Sequence, residues 1–181
     1  ALDECGFPQC KGSIMAGNPK WCLSLPEWQV EFSDWIRNSA PEALLNSAIF
    51  FDFRCVWGVA ALADRLREWL LAIASVNRRF LHQMAGNALQ TQPPLGLLHD
   101  FSTSGSGRDA DTLDLKGQGA RLFVDAARIY ALQTSVAATG TAERLRAASA
   151  MLGVNQDEVA ASLDAFFFIQ LLRLRHDVLG A

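Results

Sequence analysis

The chain has 181 residues, half of them hydrophobic and 19% charged, with a formal net charge of −3. That length makes one medium domain, or one domain with a piece of another. The acidic balance excludes nucleic-acid binding through a general basic field, and no apolar run approaches the roughly 20 residues that span a bilayer.

A mean hydropathy above zero is high for a chain with no membrane span. The surplus predicts a core plus a face that another domain or a second copy of the chain covers. Residues 1–5 read as the end of a helix that starts elsewhere, and no signal-peptide pattern opens the chain. The expectation is a fragment of a longer cytoplasmic protein. Cys5, Cys10, Cys22 and Cys55 lack the paired spacing of a zinc site. In a chain with this much core they read as reduced thiols rather than as a disulfide framework.

In chain order, CGFPQCKGSIMAGNPKW (5–21) is rich in Gly and Pro, which predicts turns with one short strand around Ser13–Ala16. Ser24 followed by Glu27 makes a capping box. It opens a helix to about Arg37, with Trp28, Phe32, Trp35 and Ile36 on the buried face. Asn38 and Pro41 stop that helix and start the next. Over 41–57, Leu44, Leu45, Ala48 and Ile49 keep helical spacing and Asp52 continues their face, so this stretch also reads as helix. Beyond Gly58, Leu62, Ala63, Leu66, Trp69, Leu70 and Ile73 form an amphipathic helix. Asn77 caps another, which carries Phe80, Leu81, Met84 and Ala88 and stops at Pro93-Pro94. STSGSG (102–107) reads as a flexible loop. A helix over about 119–137 follows, then one capped by Thr141 and ended by Gly153. Asn155 with Glu158 forms a second capping box for a final helix over 156–179. No repeat is present. The expected fold is mainly α, a bundle of six to seven helices behind a short irregular N-terminal segment.

No phosphate-loop, nucleophile-elbow, zinc-protease or calcium-loop motif occurs. Three places nevertheless carry unusual charge. In DTLDLKGQGARLFVDAAR (111–128), Asp114 and Lys116 precede two glycines. Arg121, Asp125 and Arg128 then follow at i, i+4, i+7 on one helix face. They make either surface salt bridges or a polar site facing something outside the chain. The glycine-flanked helix start would offer unpaired N–H groups that suit phosphate. On the last helix Arg173, His176 and Asp177 share a face, suited either to the negative end of the helix dipole or to phosphate. Asp52 lies in an apolar run, where a carboxylate needs a partner or a function.

CGFPQCKGSIMAGNPKW, LPEWQVEFSDWI, ALLNSAIFFDFRCVWG, LDLKGQGARLFVDAARIYAL and AFFFIQLLRLRHD, in this order, resemble a bacterial signalling family. Its members join cyclic-nucleotide-binding and CBS modules to a nucleotidyltransferase domain and a C-terminal helical substrate-binding domain. Through FDFRCVWG, DLKGQGARLFVDAAR and LLRLRHD the chain is more distantly similar to PII uridylyltransferase and glutamine synthetase adenylyltransferase.

The resemblance implies that residues 1–22 are the tail of the α/β nucleotidyltransferase domain and 23–181 the helical substrate-binding domain. It also implies that the catalytic centre, with its GS motif and D-x-D pair, lies outside this chain. Mg²⁺ and a nucleoside triphosphate are expected for the full-length protein. The partners implied are the upstream catalytic, CBS and cyclic-nucleotide-binding domains and a PII-like acceptor. Asp52 is the candidate for a third catalytic carboxylate. Asp114, Lys116, Arg121, Asp125, Arg128, Arg173 and His176 are the candidates for nucleotide or substrate binding. The alternative is a helical regulatory module that couples to the sensor domains and performs no chemistry.

Overall fold

In a computed structural model of the chain, residues 3–8, 10, 12–15, 17–95 and 112–179 are described. Seven α-helices are present among them: α1 Leu25–Asn38, α2 Pro41–Phe50, α3 Ala60–Val76, α4 Arg78–Ala88, α5 Arg121–Thr134, α6 Thr141–Leu152 and α7 Gln156–Leu179. A π-helical turn, Leu115–Ala120, leads into α5, and short 3-10 turns lie at Asp3–Cys5 and Pro19–Trp21. The described residues contain no strand, so the mainly helical expectation holds. STSGSG lies outside the described residues.

The helix starts follow local chemistry. Glu27 reaches back to accept from the Ser24 N–H at 2.7 Å and from its hydroxyl at 2.6 Å, the acidic half of a capping box. Asn77 accepts from the Phe80 N–H at 3.0 Å at the start of α4, and Asn155 accepts from the Asp157 N–H at 2.9 Å before α7. Pro41 occupies the first turn of α2, where its missing N–H costs nothing.

Several expectations need correction. Residues 13–15 form no strand; Ser13 sits at a left-handed φ of 55°, and its carbonyl accepts from the Trp21 indole at 3.1 Å. The helix read over 41–57 stops at Phe50, so Asp52 stands in the turn beyond it. Gly140 rather than Thr141 holds the cap position of α6. The single helix read over 119–137 is a π-turn followed by an α-helix that ends at Thr134, with Ser135 left-handed at φ 58°.

The main core gathers Phe32, Trp35 and Ile36 of α1, Leu44 of α2, Leu66, Leu70 and Ala74 of α3, Phe80 and Met84 of α4, and Ile129 and Leu132 of α5. Trp21 stacks on Trp28 with ring centroids 6.1 Å apart, and Phe50, Phe51 and Phe53 close the same aromatic cluster. Trp21, Trp28 and Trp35 are thus used inside the chain's own core. A smaller core of Ala127, Leu145, Val159 and Leu163 joins α5 to α6 and α7. Helix α5 contributes to both cores, and the π-turn at its start packs on α7. No helix among the described residues is long and apolar enough to cross a membrane.

Candidate functional site

Where α2, the π-turn, the start of α5 and the middle of α7 come together, they leave an open pocket of about 460 Å³. That volume lies within the range of about 300–1,000 Å³ for small-molecule sites. Leu45, Ala48, Ile49 and Val124 give it an apolar wall, and Lys116, Arg121, Arg128 and Arg173 bring cations to it beside Asp114 and Asp125. Residues from 45 to 173 therefore meet at one place, and six of the seven binding candidates line it. His176 does not. Its ring stands exposed on α7, 3.7 Å from the Asp177 carboxylate.

The π-turn shapes one side. Asp114 accepts from the N–H groups of Lys116 at 3.1 Å and Gly117 at 2.8 Å, so the N–H groups expected to suit phosphate already hold the chain's own carboxylate. Any anion in the pocket must therefore be met by side chains. The Arg121 N–H bonds back to the Lys116 carbonyl, five residues away. This wider ring is characteristic of the π-helical segments that occur at functional sites. Gly117 is required by close approach, whereas a side chain at Gly119 would meet only ordinary contact. A Cβ on Gly117 would stand 2.3 Å from Asp114 Oδ2, and one on Gly119 would stand 3.4 Å from Ile169 of α7.

Behind the pocket runs a chain of alternating charge. Arg121 Nε donates to Asp125 Oδ2 at 3.3 Å, and Arg128 Nη1 donates to Asp125 Oδ1 at 2.7 Å. Arg128 Nη2 donates to Asp52 Oδ2 at 2.6 Å, and Arg144 Nη1 donates to Asp52 Oδ1 at 2.5 Å. Arg128 and Arg144 are only 5% and 4% exposed, so their charges need these partners. Burial pushes the Asp52 carboxyl up, but the hydrogen bonds and charges of Arg128 and Arg144 outweigh it and hold the group below its ordinary value. Burial would lower Arg128, yet Asp52 and then Asp125 raise it. Arg67 is lowered by burial and by the charge of Arg144; it lies over the Phe53 ring and donates to the Phe53 carbonyl.

Asp52 is thus brought to the arginines, and both of its oxygens accept from guanidinium groups. No group of three or more His, Cys, Asp or Glu side chains among the described residues is placed to hold a metal ion. With Asp52 and Asp125 both engaged by arginines, the donor set does not fit a resident Mg²⁺.

Arg144 was missed in the sequence, although a signal existed. It shares the buried face of α6 with Leu145 and Ala148, and a cation on an apolar face implies a buried partner.

Residues 78–180, more than half of the chain, match the family model described as "Putative nucleotidyltransferase substrate binding domain". Residues 1–42 match the one described as "Putative nucleotidyltransferase DUF294". No curated protein and no solved structure matches the chain. The first match takes in α4, the π-turn, α5, α6 and the whole of α7, which include the elements that carry nearly all of the pocket's charge. The chain belongs to the nucleotidyltransferase substrate-binding domain family.

Proposed function

We propose that the pocket holds the phosphates of a nucleoside triphosphate for a PII-uridylyltransferase-like nucleotidyltransferase. The observation that carries this reading is the convergence of Lys116, Arg121 and Arg173, with Arg128 behind them, on an open pocket that also has an apolar wall. Three guanidinium groups, those of Arg121, Arg128 and Arg144, share two carboxylates. Lys116 has no ion pair among the described residues. The surplus is positive, and an oligophosphate would neutralise it through charge-assisted hydrogen bonds. The apolar wall of Leu45, Ala48 and Ile49 suits a base or ribose.

In this reading residues 1–22 belong to the catalytic unit and 23–181 form the substrate-binding unit. Carboxylates of the catalytic unit would hold the Mg²⁺ that accompanies the nucleotide. The parent protein works in signal transduction in the bacterial cytoplasm, with CBS and cyclic-nucleotide-binding domains upstream and a PII-like acceptor.

Calorimetric titration of the chain with UTP and with ATP, each with Mg²⁺, tests the reading. Saturable binding is expected. Lys116→Glu and Arg173→Glu should each weaken it by about 10- to 100-fold, the equivalent of one charge-assisted hydrogen bond of about 1.5–3 kcal/mol. Binding of neither nucleotide, or binding indifferent to both substitutions, would overturn it and favour a module without a nucleotide site.

A further inference from the structure

We infer that Arg144 and Asp52 are positioning residues for this pocket: through Arg128 and Asp125 they set the orientation of the Arg121 guanidinium at its wall. The inference rests on the reading of the pocket as an oligophosphate site. Neither Arg144 nor Asp52 lines the pocket, so neither acts by touching a ligand.

The geometry is that of a relay. Arg144 is fixed at its far end, where Nε donates to the Ala138 carbonyl at 2.7 Å, in the loop between α5 and α6. Its Nη1 holds one oxygen of Asp52. Asp52 has no helix to fix it, because α2 has ended, but its neighbour Phe51 is almost fully buried in the core. The backbone there is anchored and the carboxylate is aimed by its partners. The other Asp52 oxygen receives both Nη2 and Nε of Arg128, at 2.6 and 3.3 Å. A planar guanidinium gripped on two of its nitrogens has little freedom left. Its remaining Nη1 therefore sets Asp125, and Asp125 in turn takes Arg121. Among the arginines exposure rises from the buried Arg144 and Arg128 to the half-exposed Arg121.

Charge and geometry predict opposite signs here, which makes the inference testable. Asp52→Asn removes a negative charge behind an anion pocket, so by charge alone it should tighten anion binding. By positioning it should loosen it: the amide keeps one acceptor oxygen where the carboxylate had two, so Arg128 and Arg144 are no longer both held, face each other without a carboxylate between them, and draw Asp125 from its place. Arg144→Lys keeps the charge but replaces the two fixed nitrogens that bond Ala138 and Asp52 with a single one on a flexible stem.

The experiment is calorimetric titration of the chain and of these two variants with inorganic triphosphate, with circular dichroism confirming helical content. Roughly tenfold weaker binding is expected in both variants, and no further loss when they are combined, because both break one relay. Equal or tighter binding by folded Asp52→Asn would overturn the inference while leaving the pocket intact. If Asp52→Asn does not fold, Arg144→Lys decides, and unchanged affinity in that variant overturns the inference. If the unaltered chain does not bind triphosphate, the reading of the pocket falls, and the inference with it.

Discussion

Asp52 sits two residues past the end of α2, between phenylalanines that face the core, and its carboxylate joins α5 to α6. A carboxyl held below its ordinary value stabilises the fold at neutral pH and loses that contribution as acid protonates it. The unfolded chain takes up its proton first, below about pH 4, and stability falls from there downward. In urea denaturation between pH 7 and pH 3, the unaltered chain is expected to lose more stability than Asp52→Asn, which has no such group to protonate. Parallel losses would mean that the ion network contributes nothing to the acid sensitivity. The oddity of Asp52 was legible in the sequence, because an acid in an apolar run needs a partner. The identity of that partner was not, since Arg128 and Arg144 stand 76 and 92 residues away.

At the scale of elements, starts were more legible than ends. Glu27, Asn77 and Asn155 bond backbone or side-chain groups within three residues of themselves, so the information is local. The ends at Ser39 and Ser135 are left-handed without a glycine, and α2 stops because Phe50 and Phe51 turn toward Trp35 and Phe53 toward Phe32, all on α1. Helical periodicity over 41–57 cannot register that demand. The π-turn is a further case: two glycines in LKGQGA signalled loose backbone, while its start is held by the Asp114 carboxylate and it packs on α7. Gly117→Ala is expected to displace the Asp114 carboxylate and lose the cap. The cost should be about 1 kcal/mol, typical of losing a helix cap, and weaker triphosphate binding should accompany it. Urea denaturation would read the first effect and calorimetry the second. Unchanged stability would show that the cap is not formed.

Across the whole molecule, the apolar surplus divides in two. Trp21, Trp28 and Trp35 are taken up by the chain's own aromatic core. Phe167, Phe168, Leu171, Leu174 and Val178 remain exposed along α7, and Trp57 is 93% exposed between α2 and α3. A helix apolar on nearly every side is normally covered, and an uncovered stripe draws copies together. Light scattering should therefore show the average mass of the chain rising with concentration, and the double variant Phe168→Glu/Leu171→Glu should return it toward one chain. A monodisperse monomer across the range would count against the stripe as a contact surface.

By itself the sequence determined the helical class, most helix starts and the residues with surplus charge. Each of these depends on neighbours within one or two turns, where periodicity and capping act. Tertiary structure alone decided that Lys116, Arg121, Arg128 and Arg173 face one pocket, that His176 does not, and that Arg144 stands behind Asp52. Those outcomes depend on how α5 seats between two cores, and packing of that kind is a property of the whole chain rather than of any short stretch.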